Sequence, residues 1–185
     1  MINYPSKKVT TTQHLKIYAN RGMELEKAIN LTNKYYLDND IAVIHKKPTP
    51  IQIVKIDYSN GVKICDAYFK SPSTTDYNGI YKGKYLDFEA KETKCSTSFP
   101  LHNLGTHQLK HLESVLKQGA IAFLIIKFTT LNEIYFLDAS HVIYYYNNES
   151  RKSIPYNYIK EKGYSIKENY YPQIDYLKII DIYYL

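Results

Sequence analysis

The sequence contains no tryptophan, only two cysteines and no long hydrophobic run. Because a helix needs about 18 consecutive apolar residues to cross a bilayer, no membrane span is expected. The first residues lack the apolar segment of a secretory signal, so we expect a cytoplasmic protein. Cys65 and Cys95 have neither the spacing of a zinc site nor the density of a disulfide framework, and they are predicted to be free thiols.

Charge and aromatic content narrow the class of protein. The chain has 24 Lys and Arg against 18 Asp and Glu among its 185 residues, a net charge of +6. This surplus favours a polyanionic partner such as DNA, although many basic domains bind no nucleic acid. The aromatic side chains are mainly 21 tyrosines. Most of them, including Tyr144, Tyr145 and Tyr146, are expected in strands and packing surfaces rather than stacked on bases.

The hydrophobic pattern predicts one α/β domain. Residues 1–19 are expected to form a flexible arm, and residues 20–185 a single domain whose mixed β-sheet is covered by helices on both faces. The continuous apolar run 120–128 is typical of a buried central strand. Helices are predicted over 21–38, 105–119, 155–162 and 174–182, strands over 41–45, 79–85, 85–91, 120–128 and 133–140, and a loop over 94–103.

A β-hairpin is predicted at about residues 51–70. Two β-rich runs flank Ser59, Asn60 and Gly61, and Asn-Gly is the strongest short-range hairpin signal. The hairpin carries several lysines and has two more at its base. From the residues alone it is either an ordinary member of the sheet or a protruding basic ribbon.

Three charged residues, Asp76, Glu89 and Lys91, have the spacing Asp-x(12)-Glu-x-Lys. Residues two apart on a strand share a face, so Glu89 and Lys91 are expected to project together. Two carboxylates suit a hard cation such as Mg²⁺, and an ammonium beside them orients water or stabilises charge on a phosphate. The pattern therefore indicates metal-dependent phosphodiester hydrolysis. The competing interpretation is an edge strand that presents its charges to solvent.

The first helix offers one more acid to such a site. Glu24 and Glu26 both flank the apolar stripe of the helix, so periodicity does not choose between them.

The chain resembles the RecU-type Holliday-junction resolvases of the PD-(D/E)xK nuclease superfamily, over nearly its whole length. The string STTDYNG…YLDFEAKET is far more specific than a bare Asp…Glu-x-Lys pattern. The resemblance rests on NRGMELEKAIN (20–30), KKPTPIQIV (46–54), AYFKSPSTTDYNGIYKGKYLDFEAKET (67–93), SFPLHN (98–103) and HQLKHLESV (107–115), and it continues loosely through AIAFLIIKF.

This resemblance implies a restriction-endonuclease-like core, a mixed β-sheet flanked by helices, with a protruding β-hairpin stalk. It implies Mg²⁺, with Mn²⁺ as a substitute, and products with a 5′-phosphate. Asp76 and Glu89 match the principal metal ligands, and Lys91 matches the residue that holds or activates the attacking water. The remaining matches are Glu26 as the helix acid, Thr74 as the active-site threonine and Gln108 as a polar residue near the metal.

Implied partners are a four-way DNA junction, a second copy of the chain in a homodimer, and recombinase and branch-migration proteins. The chain departs from the family at its stalk, which is short and has no arginine. DNA contacts are therefore expected at Lys46, Lys47, Lys55 and Lys63. Asp87 shares a strand face with Glu89, and its role is either to support the site or structural.

Three rival functions remain open at this point. One is a junction-binding accessory of recombination that does not cut, although the intact acidic set favours cleavage. Another is a restriction-type endonuclease on the same core, which usually adds base-reading elements that are not visible here. The last is a basic single-strand binder, which leaves the grouping from Asp76 to Lys91 unexplained.

Overall fold

The computed structural model describes residues 23–70, 74–148 and 150–185; the predicted arm, residues 1–19, lies outside them. The helices of this part are α1 (Met23–Asp38), α2 (Thr106–Lys117), α3 (Ala139–Asn148), α4 (Tyr156–Lys162) and α5 (Leu177–Tyr183). The strands are β1 (Val43–Lys46), β2 (Ile51–Asp57), β3 (Lys63–Phe69), β4 (Tyr77–Tyr81), β5 (Lys84–Thr93), β6 (Ser98–Pro100), β7 (Ile121–Phe128), β8 (Glu133–Asp138), β9 (Ser153–Pro155) and β10 (Tyr164–Ile166). A 3₁₀ turn, Leu101–Asn103, follows β6.

The main sheet has six strands in the order β1-β4-β5-β7-β8-β10. β5 and β7 are parallel, and the other neighbours are antiparallel. β7 comes from the continuous apolar run and lies between β5 and β8, as expected for a strand that is buried on both faces. The predicted α/β architecture with a mixed sheet flanked by helices is therefore confirmed.

Alternation along the central strands divides the buried side chains between two cores. Phe88 and Ala90 of β5 pack beneath α1 and α5. Leu124 of β7 packs with α2, α3 and α4 on the opposite face of the sheet. Because side chains two apart on a strand share a face, Glu89 and Lys91 point to the α2 side.

The hairpin of β2 and β3, called the stalk below, forms a separate two-stranded sheet. Ile51 lies opposite Phe69, and Asp57 lies opposite Lys63. Gly61 has a φ of 90° in the turn, which explains why glycine follows Asn there. The predicted protruding hairpin is confirmed. The stalk exposes several large apolar side chains: Ile51, Val54, Tyr58, Val62 and Phe69.

A second hairpin joins β4 to β5 through a turn of two residues. Lys82 and Gly83 have φ values of 44° and 76°. Two successive positive φ values belong to the turn type whose twist matches that of antiparallel strands. This tight turn fixes the register of β4 against β5, on which the candidate site depends.

Two segments differ from the prediction. Residues 139–148 form α3, although the tyrosines there favour strands; Ala139 and Val142, spaced by one helical turn, are buried against the sheet, and this packing overrides propensity. Residues 94–103, predicted as a loop, contain β6 and the 3₁₀ turn. β6 pairs with β9, more than 50 residues later, so no local pattern indicates either strand.

Other expectations are met. A helix forms in each of the four predicted ranges, although α5 ends at Tyr183, one residue beyond its predicted range. Gly119 after α2 has a φ of 83°, typical of a residue that ends a helix. Cys65 and Cys95 are both free. No helix in residues 23–70, 74–148 and 150–185 is long and apolar enough to span a membrane.

Candidate active site

The β4–β5 hairpin brings Asp76 and Glu89 together. Tyr77 lies opposite Phe88 in the antiparallel register, so Asp76, one residue before β4, lies opposite Glu89, one residue further along β5. The backbone nitrogen of Asp76 donates a hydrogen bond of 3.0 Å to Glu89 Oε2. The twelve intervening residues are therefore the length of a hairpin with a two-residue turn.

Glu89 lies at the centre of the polar contacts on this face of the sheet. It is fully buried. Its Oε1 accepts a hydrogen bond of 2.6 Å from Gln108 Nε2 and lies 2.6 Å from Lys91 Nζ. Asp76 Oδ2 in turn accepts a hydrogen bond of 3.2 Å from the backbone nitrogen of Ala90. The structure thus groups Asp76, Glu89, Lys91 and Gln108 as the sequence predicts.

Burial and charge repulsion change the acidity of Glu89. Burial first, and the charge of Asp76 second, raise the pKa of Glu89 from 4.5 to about 7, while Lys91 acts in the opposite direction. A buried carboxylate beside a second carboxylate is costly to ionise. A cation that neutralises both acids removes this cost.

The Asp76–Glu89 pair fits a divalent metal ion on the chemistry of its donors. Mg²⁺ is usually held by one or two carboxylates, with waters and substrate phosphates completing its coordination. In the described parts of the chain, no group of three or more His, Cys, Asp and Glu side chains is arranged to hold a metal. The two carboxylates are the candidate ligands because the repulsion between them is what such an ion relieves.

Gln108 and Thr74 lie near the site in different roles. Gln108 directs its amide nitrogen at Glu89, while its Oε1 accepts a hydrogen bond of 2.9 Å from the backbone nitrogen of Gly105 at the start of α2. This arrangement orients Glu89. Thr74 Oγ1 accepts a hydrogen bond of 3.1 Å from Lys47 Nζ.

Glu26 of α1 approaches the site from the other face of the sheet. Its carboxylate is paired with Lys46, and its backbone oxygen accepts a hydrogen bond of 3.3 Å from the Tyr77 hydroxyl. Burial, followed by the charge of Glu26 and those of the acidic pair, raises the pKa of Tyr77. Glu24 and Glu26 both line an open cleft with Lys91, so the helix acids flank the site without joining its carboxylate pair.

Asp87, two residues before Glu89, is the centre of a second buried polar cluster. Lys47 Nζ lies 2.9 Å from Asp87 Oδ2, and His111 Nε2 and the Tyr85 hydroxyl each lie 3.0 Å from the same oxygen. The Thr75 hydroxyl donates to Asp87 Oδ1. The Lys47 side chain is only 15% exposed. The structure therefore directs this predicted DNA-binding lysine inward, at Asp87.

The two stalk lysines are exposed but lie beside acids. Lys55 is paired in register with Asp66, and Lys63 with Asp57. Residues 51–69 contain two lysines and two aspartates and no other charged residue, so the stalk carries no net charge. Any attraction of DNA to the stalk lysines is offset by these neighbours.

Two residues that support the site were not identified from the sequence. His111 follows Gln108 by three residues, so both lie on one face of α2, and that spacing was a usable signal. Glu92 Oε1 accepts a hydrogen bond of 2.9 Å from the backbone nitrogen of Leu25 in the first turn of α1. This contact joins positions 67 residues apart and has no local signature.

Comparisons with known proteins match most of the chain to one family. The family model "Recombination protein U" matches residues 20–182. A protein of Bacillus cytotoxicus named "Holliday junction resolvase RecU" is 55% identical over 172 residues, which cover 90% of this chain and 86% of the relative. A Bacillus cereus protein of the same name is 54% identical over the same shares.

A solved structure, that of Archaeoglobus fulgidus Hjc, a Holliday junction resolvase, is similar with a TM-score of 0.46 and 15% identity, over 78% of this chain and 95% of that chain. The family match and the two Bacillus relatives show that the chain belongs to the RecU family of recombination proteins.

Proposed function

We propose that the chain is a Holliday-junction resolvase, a metal-dependent endonuclease that nicks four-way DNA junctions in recombination and repair. The observation that carries the proposal is the Asp76–Glu89 pair with Lys91 at 2.6 Å from Glu89. Relatives that are 54–55% identical bear the name of such a resolvase. The intact acidic set favours cleavage over junction binding alone.

Each residue has a distinct part in the proposed reaction. Asp76 and Glu89 would hold Mg²⁺, with Mn²⁺ as a substitute, and Gln108 keeps the Glu89 carboxylate oriented. A bound ion of this kind polarises a phosphoryl oxygen and lowers the pKa of a coordinated water. Lys91 would place the attacking water and offset the charge that develops on the phosphate.

Hydrolysis in this scheme needs no covalent enzyme intermediate. Water is the nucleophile, and the bond to the 3′ oxygen breaks, so the products carry a 5′-phosphate and a 3′-hydroxyl. Cys65 and Cys95, which are free thiols, have no part in the reaction. A cytoplasmic site of action is part of the same proposal.

A homodimer follows from the substrate. A four-way junction has two equivalent strands to cut, and paired nicks require two sites related by two-fold symmetry. The exposed apolar side chains of the stalk support this assembly, because exposed patches of that kind commonly mark protein interfaces. Recombinase and branch-migration proteins would be further partners.

The test is cleavage of a synthetic four-way junction with end-labelled strands, in Mg²⁺ and in EDTA. We expect paired nicks with 5′-phosphate ends in Mg²⁺, none in EDTA, and little cutting of a linear duplex with the same sequence. Asp76→Asn should bind the junction in a gel shift but not cut it, because a metal ligand is lost while the basic surface remains.

Glu113→Gln is the matched control, because Glu113 is an exposed acid paired with Lys117 on the surface of α2. It should cut like the unaltered protein. Cleavage of linear duplex at a fixed sequence would instead support a restriction-type enzyme. Binding without any metal-dependent cutting would leave only the accessory role.

A further inference from the structure

We propose that the DNA strand next to the scissile phosphate follows a groove past His102 to its basic end at Arg151 and Lys152, which bind its phosphodiester backbone. This inference rests on the proposed nuclease function and adds a binding site to it. The ligand is the sugar–phosphate backbone of one junction arm.

The groove is formed by two open clefts that share one lining residue, His102. The first, of about 650 Å³, is lined by Lys91, Lys94 and His102 among others. The second, of about 430 Å³, is lined by His102 and by Arg151 and Lys152. His102 therefore stands between the cleft of the candidate catalytic lysine and the cleft of the only arginine in the described part of the chain.

Backbone pairing holds the two clefts side by side. β6 and β9 are antiparallel, with Pro100 opposite Ser153. The backbone nitrogen of Leu101 donates a hydrogen bond of 3.0 Å to the backbone oxygen of Lys152. The position of Lys152 beside the 3₁₀ turn that carries His102 is thus set by the sheet. It does not depend on the conformation of a long side chain.

The two clefts differ in the charged residues that line them. On the α1 side, the first cleft is lined by Glu24, Glu26 and Glu92, which repel a phosphate backbone. On the other side, no described residue that lines the second cleft is an Asp or a Glu. A strand leaving Lys91 is therefore pushed away from α1 and drawn towards Arg151.

The cations of the groove are available to a ligand. Within residues 23–70, 74–148 and 150–185, no ion pair involves Lys94, Arg151 or Lys152, whereas Lys47 and Lys46 are paired with Asp87 and Glu26. Arg151 and Lys152 are also exposed. Because these cations have no ion pair to break, binding a phosphate costs them little. Their binding also releases counterions from the DNA.

The test compares Arg151→Gln/Lys152→Gln with the unaltered protein in junction binding with EDTA, from 50 to 200 mM salt. Two lost phosphate contacts should reduce the slope of log K against log salt by about 1.8. The loss of affinity relative to the unaltered protein should be about tenfold larger at 50 mM than at 200 mM salt. This ratio follows from the change in slope over a fourfold range of salt. Hydroxyl-radical protection of the cut strand should disappear on one side of the cleavage position.

Lys84→Gln/Lys167→Gln removes the same charge from exposed lysines that do not line the groove, and it should change the slope little. Arg151→Lys/Lys152→Arg keeps both charges and should keep the slope. An unchanged slope and footprint in Arg151→Gln/Lys152→Gln would overturn the inference. Cleavage by the wild-type protein would still support the nuclease function. Absence of wild-type cleavage in Mg²⁺ would instead remove the function itself.

Discussion

Thr75 donates its hydroxyl hydrogen to the fully buried carboxylate of Asp87, and Thr75 immediately precedes the candidate metal ligand Asp76. The backbone nitrogen of Lys47 also donates a hydrogen bond of 2.7 Å to the backbone oxygen of Asp76. The Asp87 cluster therefore fixes both the chain that carries Asp76 and the β5 strand that carries Glu89. Asp87 positions the site without touching a candidate ligand.

Replacing Asp87 by Asn should lower both stability and cleavage. The change leaves the Lys47 ammonium largely buried without a counter-charge, and losing one partner of such a pair costs about 3 kcal/mol or more in the free energy of unfolding. If Asp76 shifts by an ångström, kcat should fall by about 10²-fold. Urea unfolding and single-turnover junction cleavage measure the two effects.

Asp87→Asn/Lys47→Met separates positioning from stability. Removing the unpaired ammonium should restore much of the free energy of unfolding, because an apolar replacement of both partners is often close to neutral. The cleavage rate should stay low, since Thr75 no longer has its charged acceptor. Recovery of the rate together with the stability would show that Asp87 is only structural.

The pH dependence of stability should report Glu89 in protein kept in EDTA. The pKa of Glu89 is raised from 4.5 to about 7 in the folded state, so folding binds its proton. This contribution is fully present below about pH 4.5 and is lost as the pH rises through about 7, which destabilises the protein by about 3 kcal/mol. Thermal unfolding across this range measures it.

Glu89→Gln should flatten that profile, because glutamine does not titrate. Mg²⁺ should also oppose the loss in the unaltered protein, since an ion held by ionised Asp76 and Glu89 stabilises the folded state. Glu113→Gln, a change at an exposed acid, should keep the original profile. A Glu89→Gln profile as steep as that of the unaltered protein would mean that another group titrates.

Lys91→Ala should slow the chemical step while preserving metal affinity. The ammonium lies 2.6 Å from Glu89 Oε1 but supplies no ligand, so its loss does not remove a donor. The loss of one group that stabilises transition-state charge costs about 10²–10³-fold in rate. Single-turnover cleavage and Mg²⁺ titration by calorimetry are the measurements. A tenfold weaker affinity for Mg²⁺, or an unchanged rate, would contradict this role.

Local patterns were sufficient for the features that depend on neighbours in sequence. The hydrophobic run of β7, the stripe of α2 and the Asn-Gly turn of the stalk each indicated the observed element. The Asp76–Glu89 pair could also be predicted, because its spacing equals the length of one tight hairpin. The predicted resemblance to RecU proteins is confirmed by the family model, which matches residues 20–182.

Features that depend on distant contacts were not accessible in this way. α3 forms from a tyrosine-rich segment because its buried face packs on the sheet. Asp87 gathers Lys47, Thr75 and His111 from three separate segments, so its burial has no signature in the residues beside it. The inward direction of Lys47 is a consequence of that burial.

The stalk offers a test of electrostatic steering in which charge is changed in both directions. Lys55→Gln/Lys63→Gln should weaken junction binding and reduce the salt slope by at most about 1.8, because two phosphate contacts are the limit for two lysines. Asp57→Asn/Asp66→Asn should strengthen binding, since it removes the acids that lie opposite these lysines. Both variants should keep the free energy of unfolding within about 0.5 kcal/mol, as is usual for exposed sites. Equal affinities for the two variants across the salt series would place DNA binding away from the stalk, on the body of the protein.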